Sequence, residues 1–354
     1  SRGRCGSCAQ AISDVGGFEM ERVKHGVIGI GWFGEKHCEA IDAIPNMELY
    51  AICTRTQSRL EEVAKRFNVQ HVYTDYNEML ADPELESVSI TTMWDQHVDP
   101  ALAALEAGKH VFCEKPMAST VEDCQRMVDA ANAADSYFMV GHICRFNPRY
   151  AMAKRKCEEG VCGKIVSMFA RRNIPGWVTT GILPKIGPIV GDGVHDMDIM
   201  LWASGLKPVK VYAKTVNERG LGNPDLGWSM FTMDNGAIAV LENVWFLPDK
   251  TAMQIDERME IIGTEGSVHV QESAPSFAVC DKDGWTYPDT TYWVTLYGGR
   301  LVGALPTELR YFGDCVQEGV RPTIITPEES MATVKACLAA EESAASGKEV
   351  TIEW

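Results

Sequence analysis

Apolar and polar residues follow two different patterns along the chain. From residue 20 to about 147, short apolar runs of strand length alternate with stretches whose apolar residues recur at helical spacing. The predicted strands are 23–30, 47–53, 88–92, 111–113 and 137–140, and the predicted helices are 35–44, 58–67, 100–107 and 121–134. Strands separated by helices pair in parallel through right-handed crossovers, so residues 20–147 are predicted to form an α/β domain with a doubly wound parallel sheet.

Beyond residue 148 strand-like runs follow one another directly. Turn signals such as Asp234-Asn235-Gly236 separate them, as in antiparallel sheets. The predicted strands are 161–171, 209–216, 228–232, 237–246, 259–262 and 267–271, and two helices are predicted at 308–318 and 327–346. Residues 148–354 are therefore predicted to form an α+β domain with a large open antiparallel sheet, whose last helix and strand are free to pack back on the first domain.

Length and charge narrow the class of protein. The 354 residues suffice for two domains, and 45% hydrophobic with 23% charged residues is ordinary for a globular protein. A net charge of −16 argues against binding nucleic acid or an anionic membrane surface. We find no apolar run long enough to span a membrane and no signal-peptide pattern, so a cytoplasmic protein is expected.

Most of the twelve cysteines lie in apolar segments. The clearest cases are Cys53, Cys113, Cys144 and Cys337. We interpret them as reduced, buried thiols of a cytosolic protein. Cys5 and Cys8 have the spacing of half a zinc site, but no second pair follows, so no metal is predicted. Residues 1–19, which precede Met20, are interpreted as a tail or an expression remnant.

A glycine-rich turn follows the first predicted strand. Gly29, Gly31 and Gly34 have G-x-G-x-x-G spacing and lead into the first helix. Such glycines allow a tight turn and close approach of a pyrophosphate, which the free N–H groups of the helix amino terminus then bind. The position predicts a Rossmann dinucleotide site, with Trp32 and Phe33 among the cofactor contacts.

The end of the second strand should distinguish NAD from NADP. A carboxylate there would bind the ribose hydroxyls of NAD, but this chain has Thr54 and Arg55. Arg55 could stack on the adenine, pair with a 2′-phosphate, or stand in solvent at the start of a helix. Both NAD and NADP therefore stay open as the cofactor.

The stretch VFCEKPMAS ends an apolar strand in Glu114, Lys115 and Pro116. Ligands of open parallel sheets bind beyond the carboxyl ends of the strands, so Lys115 should project into the cofactor crevice. An ammonium there can polarise a hydroxyl or exchange a proton with it, and Pro116 restricts the backbone of Lys115. The alternative is a surface ion pair of Glu114 and Lys115 that caps a strand.

A second candidate site lies in GPIVGDGVHDMDIM. If a helix begins near Gly193, Asp192 and His195 lie three residues apart on neighbouring faces. A carboxylate beside an imidazole fixes its tautomer and raises its basicity, which suits a general acid or base. The alternatives are a capping aspartate with a solvated histidine, and a metal site, which lacks further ligands nearby.

Taken in order, the glycine turn, Glu114-Lys115-Pro116 and the Asp192/His195 segment resemble the glucose–fructose oxidoreductase / inositol dehydrogenase / MocA family. The resemblance runs from residue 23 to 354. It implies hydride transfer between a nicotinamide cofactor and a secondary hydroxyl or ketone of a sugar, inositol or glycoside. It assigns catalysis to Lys115 and His195, with Asp192 in support, and it implies a homodimer or homotetramer.

Further contacts are expected around this site. Cofactor contacts are predicted at Thr92, Trp94, His97, Glu114, Lys115 and Arg145, the last in a segment, GHICRFNPRY, that resembles the family's crossing between domains. Substrate contacts are predicted at Lys115, Arg172, Trp177, Asp192 and His195. Arg172 and Trp177 belong to residues 171–188, interpreted as a loop that closes over the substrate.

The chain departs from the family at two places. The family commonly has its aspartate four residues before the histidine, where this chain has Gly191, and Asp192 stands three before it. The family commonly has Thr-Pro-Asn after the fourth strand, where this chain has Thr92-Met93-Trp94. Trp94 could line the nicotinamide site, or it could pack on the next helix.

Two alternative functions stay open at this point. One is a related enzyme that oxidises a sugar transiently, releases an aglycone and returns the hydride. The other is a cofactor-binding sensor or scaffold without turnover, which the presence of both Lys115 and His195 disfavours. Self-association is predicted because residues 237–246 are almost continuously apolar, so that both faces of this strand require cover.

Overall fold

The computed structural model describes residues 21–272, 277–296 and 298–354. The predicted tail and the Cys5–Cys8 pair lie outside these residues. Within the described part of the chain, no helix is both long and apolar enough to cross a membrane. All of the described cysteines except Cys157 and Cys280 are buried, as predicted for most of them.

The first domain is a six-stranded sheet with helices between its strands. Its elements are β1 (Val23–Ile28), α1 (Trp32–Ala43), β2 (Met47–Cys53), α2 (Gln57–Phe67), β3 (His71–Tyr73), α3 (Tyr76–Leu80), β4 (Ser87–Ile90), α4 (Val98–Glu106), β5 (His110–Glu114), α5 (Val121–Ala133) and β6 (Phe138–Gly141). The strand order is β3-β2-β1-β4-β5-β6, and every pairing is parallel. The predicted Rossmann sheet is confirmed.

The order of strands places the glycine turn at the centre of the sheet. Strands β1 and β4 are neighbours, and the chain order reverses between them. Ligands of such sheets bind at this reversal, beyond the carboxyl ends of the strands. The loops after β1, β4 and β5 therefore meet at one crevice.

The second domain contains a seven-stranded sheet and the remaining helices. Its elements are α6 (Pro148–Glu158), β7 (Ile165–Pro175), α7 (Gly176–Thr179), α8 (Pro188–Gly191), α9 (Gly193–Ser204), β8 (Pro208–Val216), β9 (Leu226–Met233), β10 (Ile238–Leu247), β11 (Asp256–Gly263), β12 (Ser267–Gln271), β13 (Val279–Asp281), β14 (Gly284–Thr286), β15 (Val294–Thr295), β16 (Leu301–Val302), α10 (Ala304–Glu318), α11 (Pro327–Ser346) and β17 (Val350–Thr351). The large sheet has the order β12-β11-β7-β10-β9-β8-β17.

This sheet is mixed rather than wholly antiparallel. Strands β7 and β10 run parallel, whereas the other pairings are antiparallel. The prediction of an antiparallel sheet was wrong for this one pair, because α7, α8, α9 and the hairpin β8–β9 lie between the two strands in the chain. Side chains of β10 alternate between a buried face, with Leu241 and Trp245, and a half-exposed outer face.

The last elements connect the two domains. Helix α10 packs on α1 and β1, and α11 packs on α5 and β6 as well as on α9 and β8. Strand β17 pairs with β8 and so extends the second sheet instead of joining the first domain. Helix α11 thus joins the first domain to helix α9 of the second domain.

Candidate active site

Lys115 joins the two domains at the carboxyl end of β5. Its ammonium Nζ donates a hydrogen bond of 3.0 Å to the carbonyl oxygen of Gly191, at the end of α8. It also lies 3.5 Å from Oδ1 of Asp192. The peptide bond between Lys115 and Pro116 is cis. The strand end predicted to face a crevice therefore meets the predicted aspartate.

His195 lies in the first turn of α9, on the same side as Asp192. Its Nε2 is 4.0 Å from Oδ1 of Asp192, and its Nδ1 faces the Cys144 thiol at 3.8 Å. Burial lowers the pKa of His195 well below 6.5, and the positive charges of Lys115 and Arg172 lower it further. The imidazole is therefore neutral near pH 7 and can accept a proton.

The carboxylate of Asp192 has a hydrogen-bond partner that the sequence did not predict. Its Oδ2 accepts a hydrogen bond of 2.8 Å from Nε1 of Trp245, a residue near the end of β10. Its other oxygen, Oδ1, is the one nearest to both Lys115 and His195. The aspartate thus reaches the site although it stands three residues, not four, before the histidine.

The three glycines of the turn have three different environments. Gly29 has a φ of 97°, and a Cβ there would lie 2.7 Å from the amide nitrogen of Thr92. A Cβ on Gly34 would lie 2.1 Å from the carbonyl oxygen of Gly29, whereas a Cβ on Gly31 would meet nothing within 4 Å. These are the conditions for a tight turn, for close helix–strand packing and for open access to a pyrophosphate, respectively.

The start of α1 leaves its N–H groups available. Its N-cap residue is Gly31, which has no side chain that could cap these N–H groups. Trp32 is 65% exposed at the first helical position, and Trp293 of the second domain packs edge-on against both Trp32 and Phe33. The turn therefore fits a dinucleotide, with an aromatic border supplied by both domains. Trp293 was not predicted, because no local pattern marks it.

Thr54 and Arg55, the residues expected to distinguish NAD from NADP, lie at the end of β2. Thr54 is half-buried and its backbone N–H donates to the carbonyl of Tyr73. The exposed Arg55 reaches across to Gln96, at 3.1 Å from its Oε1. Arg55 is therefore neither buried nor wholly solvated, and it borders the crevice beside the loop that follows β4.

His97 is buried and connects the loops that follow β4 and β5. Its Nδ1 is 3.0 Å from the carbonyl oxygen of Pro116, and its Nε2 is 3.1 Å from that of Thr92. Only 1% of the residue is exposed, so its ring supports the crevice from behind instead of lining it. Trp94, in the same loop, is half-buried against the core, as in the alternative of a packed tryptophan.

Glu114 does not form a surface ion pair with the Lys115 side chain, which was the alternative interpretation of this strand end. Its Oε1 lies 3.0 Å from Nε2 of His37 on α1, and its Oε2 accepts from the backbone N–H of Lys115. The residue is 7% exposed. The carboxylate therefore fixes the strand end to α1 from within the first domain, and the ammonium of Lys115 is left to face Asp192.

The predictions for Arg145 and Arg172 need correction, because both guanidinium groups are buried in ion pairs. Arg145 donates to both carboxylate oxygens of Asp198 and also to Glu329. Arg172 donates to Asp196 and Glu257 in the same way. These partners occupy the side chains, so Arg145 is not placed as a cofactor contact, nor Arg172 as a substrate contact.

Trp177 is the most exposed of the predicted substrate contacts. It lies on the short helix α7 and is 60% exposed. Arg219 donates to the carbonyl of Gly176, to Thr179 and to the carbonyl of Trp245, and so fixes both ends of α7 to the end of β10. The segment that carries Trp177 is thereby attached to the strand that carries Trp245.

A glycine turn for a dinucleotide, with an ammonium, a carboxylate and a neutral imidazole beside it, defines a nicotinamide-dependent oxidoreductase that acts on a CH–OH group. Comparison with known proteins agrees. Residues 23–142 match the oxidoreductase family with an NAD-binding Rossmann fold, and residues 150–269 match the GFO/IDH/MocA C-terminal domain. The chain therefore belongs to the GFO/IDH/MocA family, and the resemblance seen in the sequence is confirmed.

Several relatives are inositol dehydrogenases. The inositol 2-dehydrogenase of Acidothermus cellulolyticus is 31% identical over 72% of this chain and 74% of its own length. The scyllo-inositol 2-dehydrogenase (NAD(+)) of Bacillus subtilis is 26% identical over 94% of this chain and 97% of its own length. The crystal structure of myo-inositol 2-dehydrogenase from Lactobacillus plantarum superposes with a TM-score of 0.82 at 25% identity, covering 94% of this chain and 100% of that one.

Proposed function

We propose that this protein oxidises a secondary hydroxyl of a cyclic polyol, with inositols as the first class to test. The observation that supports this most directly is the convergence of three groups from two domains. Lys115 Nζ and His195 Nε2 both lie within 4.0 Å of one oxygen, Oδ1 of Asp192. A hydroxyl oxygen bound beside that carboxylate can contact both.

In the proposed mechanism, the chain supplies the path for the proton. The neutral imidazole of His195 accepts the hydroxyl proton at Nε2. Lys115 donates a hydrogen bond to the same oxygen and stabilises the negative charge that develops as the proton leaves. Asp192 orients both groups. NAD, bound at the turn from Gly29 to Gly34, supplies the hydride acceptor.

Relatives named inositol dehydrogenases support this substrate class, and Trp177 offers an exposed aromatic face. The test is incubation with a panel of inositols, sugars and glycosides with NAD⁺ or NADP⁺, following both the absorbance of reduced cofactor and the product mass. Formation of reduced cofactor with a product two hydrogens lighter is expected. Release of an aglycone without net reduction would favour a glycoside-cleaving enzyme, and no turnover with any substrate would favour a sensor.

We also propose that the chain forms a homodimer or homotetramer through the outer face of its large sheet. Large apolar side chains are exposed there on β8, β9, β10 and β11: Tyr212, Trp228, Met230, Ile238 and Ile262. Exposed apolar patches of this kind commonly mark interfaces.

The buried thiols are also consistent with a reducing, cytoplasmic compartment.

A further inference from the structure

The indole of Trp245 fixes the direction of the Asp192 carboxylate. Trp245 is only 3% exposed, and its Nε1 donates to Oδ2 of Asp192 at 2.8 Å. The opposite oxygen, Oδ1, faces Lys115 at 3.5 Å and His195 at 4.0 Å. A carboxylate is planar, so a hydrogen bond that holds one oxygen also sets where the other one points.

The same indole fills the space that a side chain at position 191 would need. A Cβ added to Gly191 would lie 2.4 Å from Cη2 and 2.7 Å from Cζ2 of Trp245. The carbonyl of Gly191 meanwhile accepts the hydrogen bond from Lys115. The absence of a side chain at Gly191 thus lets the ring reach Asp192 while the backbone stays against the ammonium.

The backbone around Trp245 is arranged to hold the ring in place. The register between β10 and β7 breaks after Val244, and the next pair is Leu247 with Pro175, so two residues of β10 face one of β7. Such bulges redirect side chains and are frequent next to active sites. The Trp245 carbonyl accepts from Thr179 and Arg219, and its N–H donates to the carbonyl of Asp225.

We propose that Trp245 is a positioning residue for the oxidation, which acts by holding Asp192 between Lys115 and His195. The indole ring occupies the space that a side chain at Gly191 would need, and its N–H fixes the orientation of the neighbouring Asp192 carboxylate. The kinetic part of this proposal rests on the proposed function, whereas the hydrogen bond itself can be tested without any substrate.

The first experiment measures the hydrogen bond by NMR, on the full chain labelled with ¹⁵N at tryptophan. The Trp245 indole signal is assigned by its loss in Trp245→Phe. An N–H that donates to a charged carboxylate resonates downfield, so this signal should move upfield in Asp192→Asn. Trp285, which is 60% exposed, provides the control, and its signal should not move. A Trp245 signal that stays in place in Asp192→Asn overturns the proposal.

The second experiment is a double-mutant cycle on turnover. Trp245→Phe should lower kcat about tenfold, as expected for loss of one hydrogen bond to a charged group, with little change in NADH affinity. In the Asp192→Asn background the same substitution should cost much less, because the group it positions is no longer charged. An undiminished tenfold loss in that background would show that Trp245 acts by another route.

Gly191→Ala gives an independent variant if Trp245→Phe folds poorly. The added methyl must displace the indole, so kcat should fall by a similar factor while NADH affinity is kept. Trp285→Phe is the matched control and should retain parental turnover. A Gly191→Ala protein with parental kcat would contradict the proposal. If the parent itself oxidises no polyol, the proposed function fails, and the NMR result still decides whether Trp245 holds Asp192.

Discussion

The ammonium of Lys115 lies 3.0 Å from the carbonyl oxygen of Gly191, so a strand end of the first domain and a helix end of the second meet in one hydrogen bond. This contact brings Lys115 beside Asp192 and, through it, beside His195. The three groups therefore depend on each other's placement, so their contributions to the reaction should not be additive.

Removal of the Lys115 ammonium should slow the chemical step. Lys115→Ala is expected to reduce single-turnover hydride transfer about a hundredfold, since a well-placed donor of this kind acts on charge that develops in the transition state. NADH affinity should change little. Lys282→Ala, at a side chain that is 87% exposed, is the control. A near-parental rate would mean that Lys115 only joins the domains.

His195 should set the acidic limb of the pH profile. Its pKa is lowered by burial and then by the charges of Lys115 and Arg172, so the imidazole stays neutral and able to accept a proton at every pH above that lowered value. The parental kcat/KM should therefore persist below pH 6.5 and fall only at more acidic pH. His195→Asn should lose about a hundredfold in rate and also lose this limb. A limb centred above pH 6.5 in the parent would contradict the assignment.

Lys115 and His195 should also be coupled. Because both would act on one oxygen, the double variant Lys115→Ala/His195→Asn should lose less than the product of the two single losses. Strictly multiplicative losses in single-turnover rates would show that the two side chains act on different atoms.

Substitutions at two glycines of the turn should have different effects, one on cofactor binding and the other on the stability of the fold. Gly31→Val should fold normally, since a Cβ there meets nothing within 4 Å, but it should weaken NADH binding by roughly tenfold or more, because the branched side chain occupies the pyrophosphate approach. Gly34→Val should instead lower the melting temperature, because its Cβ would lie 2.1 Å from a carbonyl oxygen. Titration with NADH and thermal melts separate the two effects, and a Gly31→Val protein that binds parentally would refute the site.

Thr54 should be able to change the cofactor preference. Thr54→Asp is expected to shift the ratio of affinities toward NAD by roughly tenfold, through repulsion between the new carboxylate and the 2′-phosphate of NADP. Thr54→Asn is the neutral control of similar shape. Equal losses for both cofactors would mean that this residue does not face the ribose.

The outer sheet face should carry the subunit contact. Light scattering at micromolar concentration is expected to give a dimer or tetramer for the parent and a smaller species for Trp228→Glu/Met230→Glu. Both residues stand exposed on β9, so the change should not disturb the core. Trp285→Glu should leave the mass unchanged. A monomeric parent would contradict the proposal.

The sequence predicted the parts of the fold that depend on local patterns. The alternating elements and the glycine spacing were sufficient for the parallel sheet and its cofactor turn, which are confirmed. Strand β3 and helix α3 were missed because His71–Tyr73 and Tyr76–Leu80 are too short to show a period. Helix α6 was missed although Asn147 caps it and Pro148 occupies its first turn, a signal that could have been used.

The site was harder to predict where its contacts are distant in sequence. Arg145 pairs with Glu329, 184 residues away, and Arg172 with Glu257, 85 residues away. The local sequence around an arginine is the same whether the guanidinium binds a ligand or a carboxylate that is distant in the chain. Trp245 and Asp192 are separated by 53 residues, and nothing local marks the tryptophan as a partner of the aspartate.

The packing of α10 and α11 on the first domain has a consequence for the order in which the protein matures during synthesis. Helix α10 covers α1 and β1, and α11 covers α5 and β6, so the nucleotide-binding sheet, which ends at Gly141, is synthesised well before its cover, which begins at Ala304 and Pro327. Lys115 emerges early, whereas Asp192 and His195 flank the start of helix α9, which packs on α11, and residues 327–346 of α11 are made much later. A nascent chain can thus acquire its dinucleotide turn well before it can carry out any reaction.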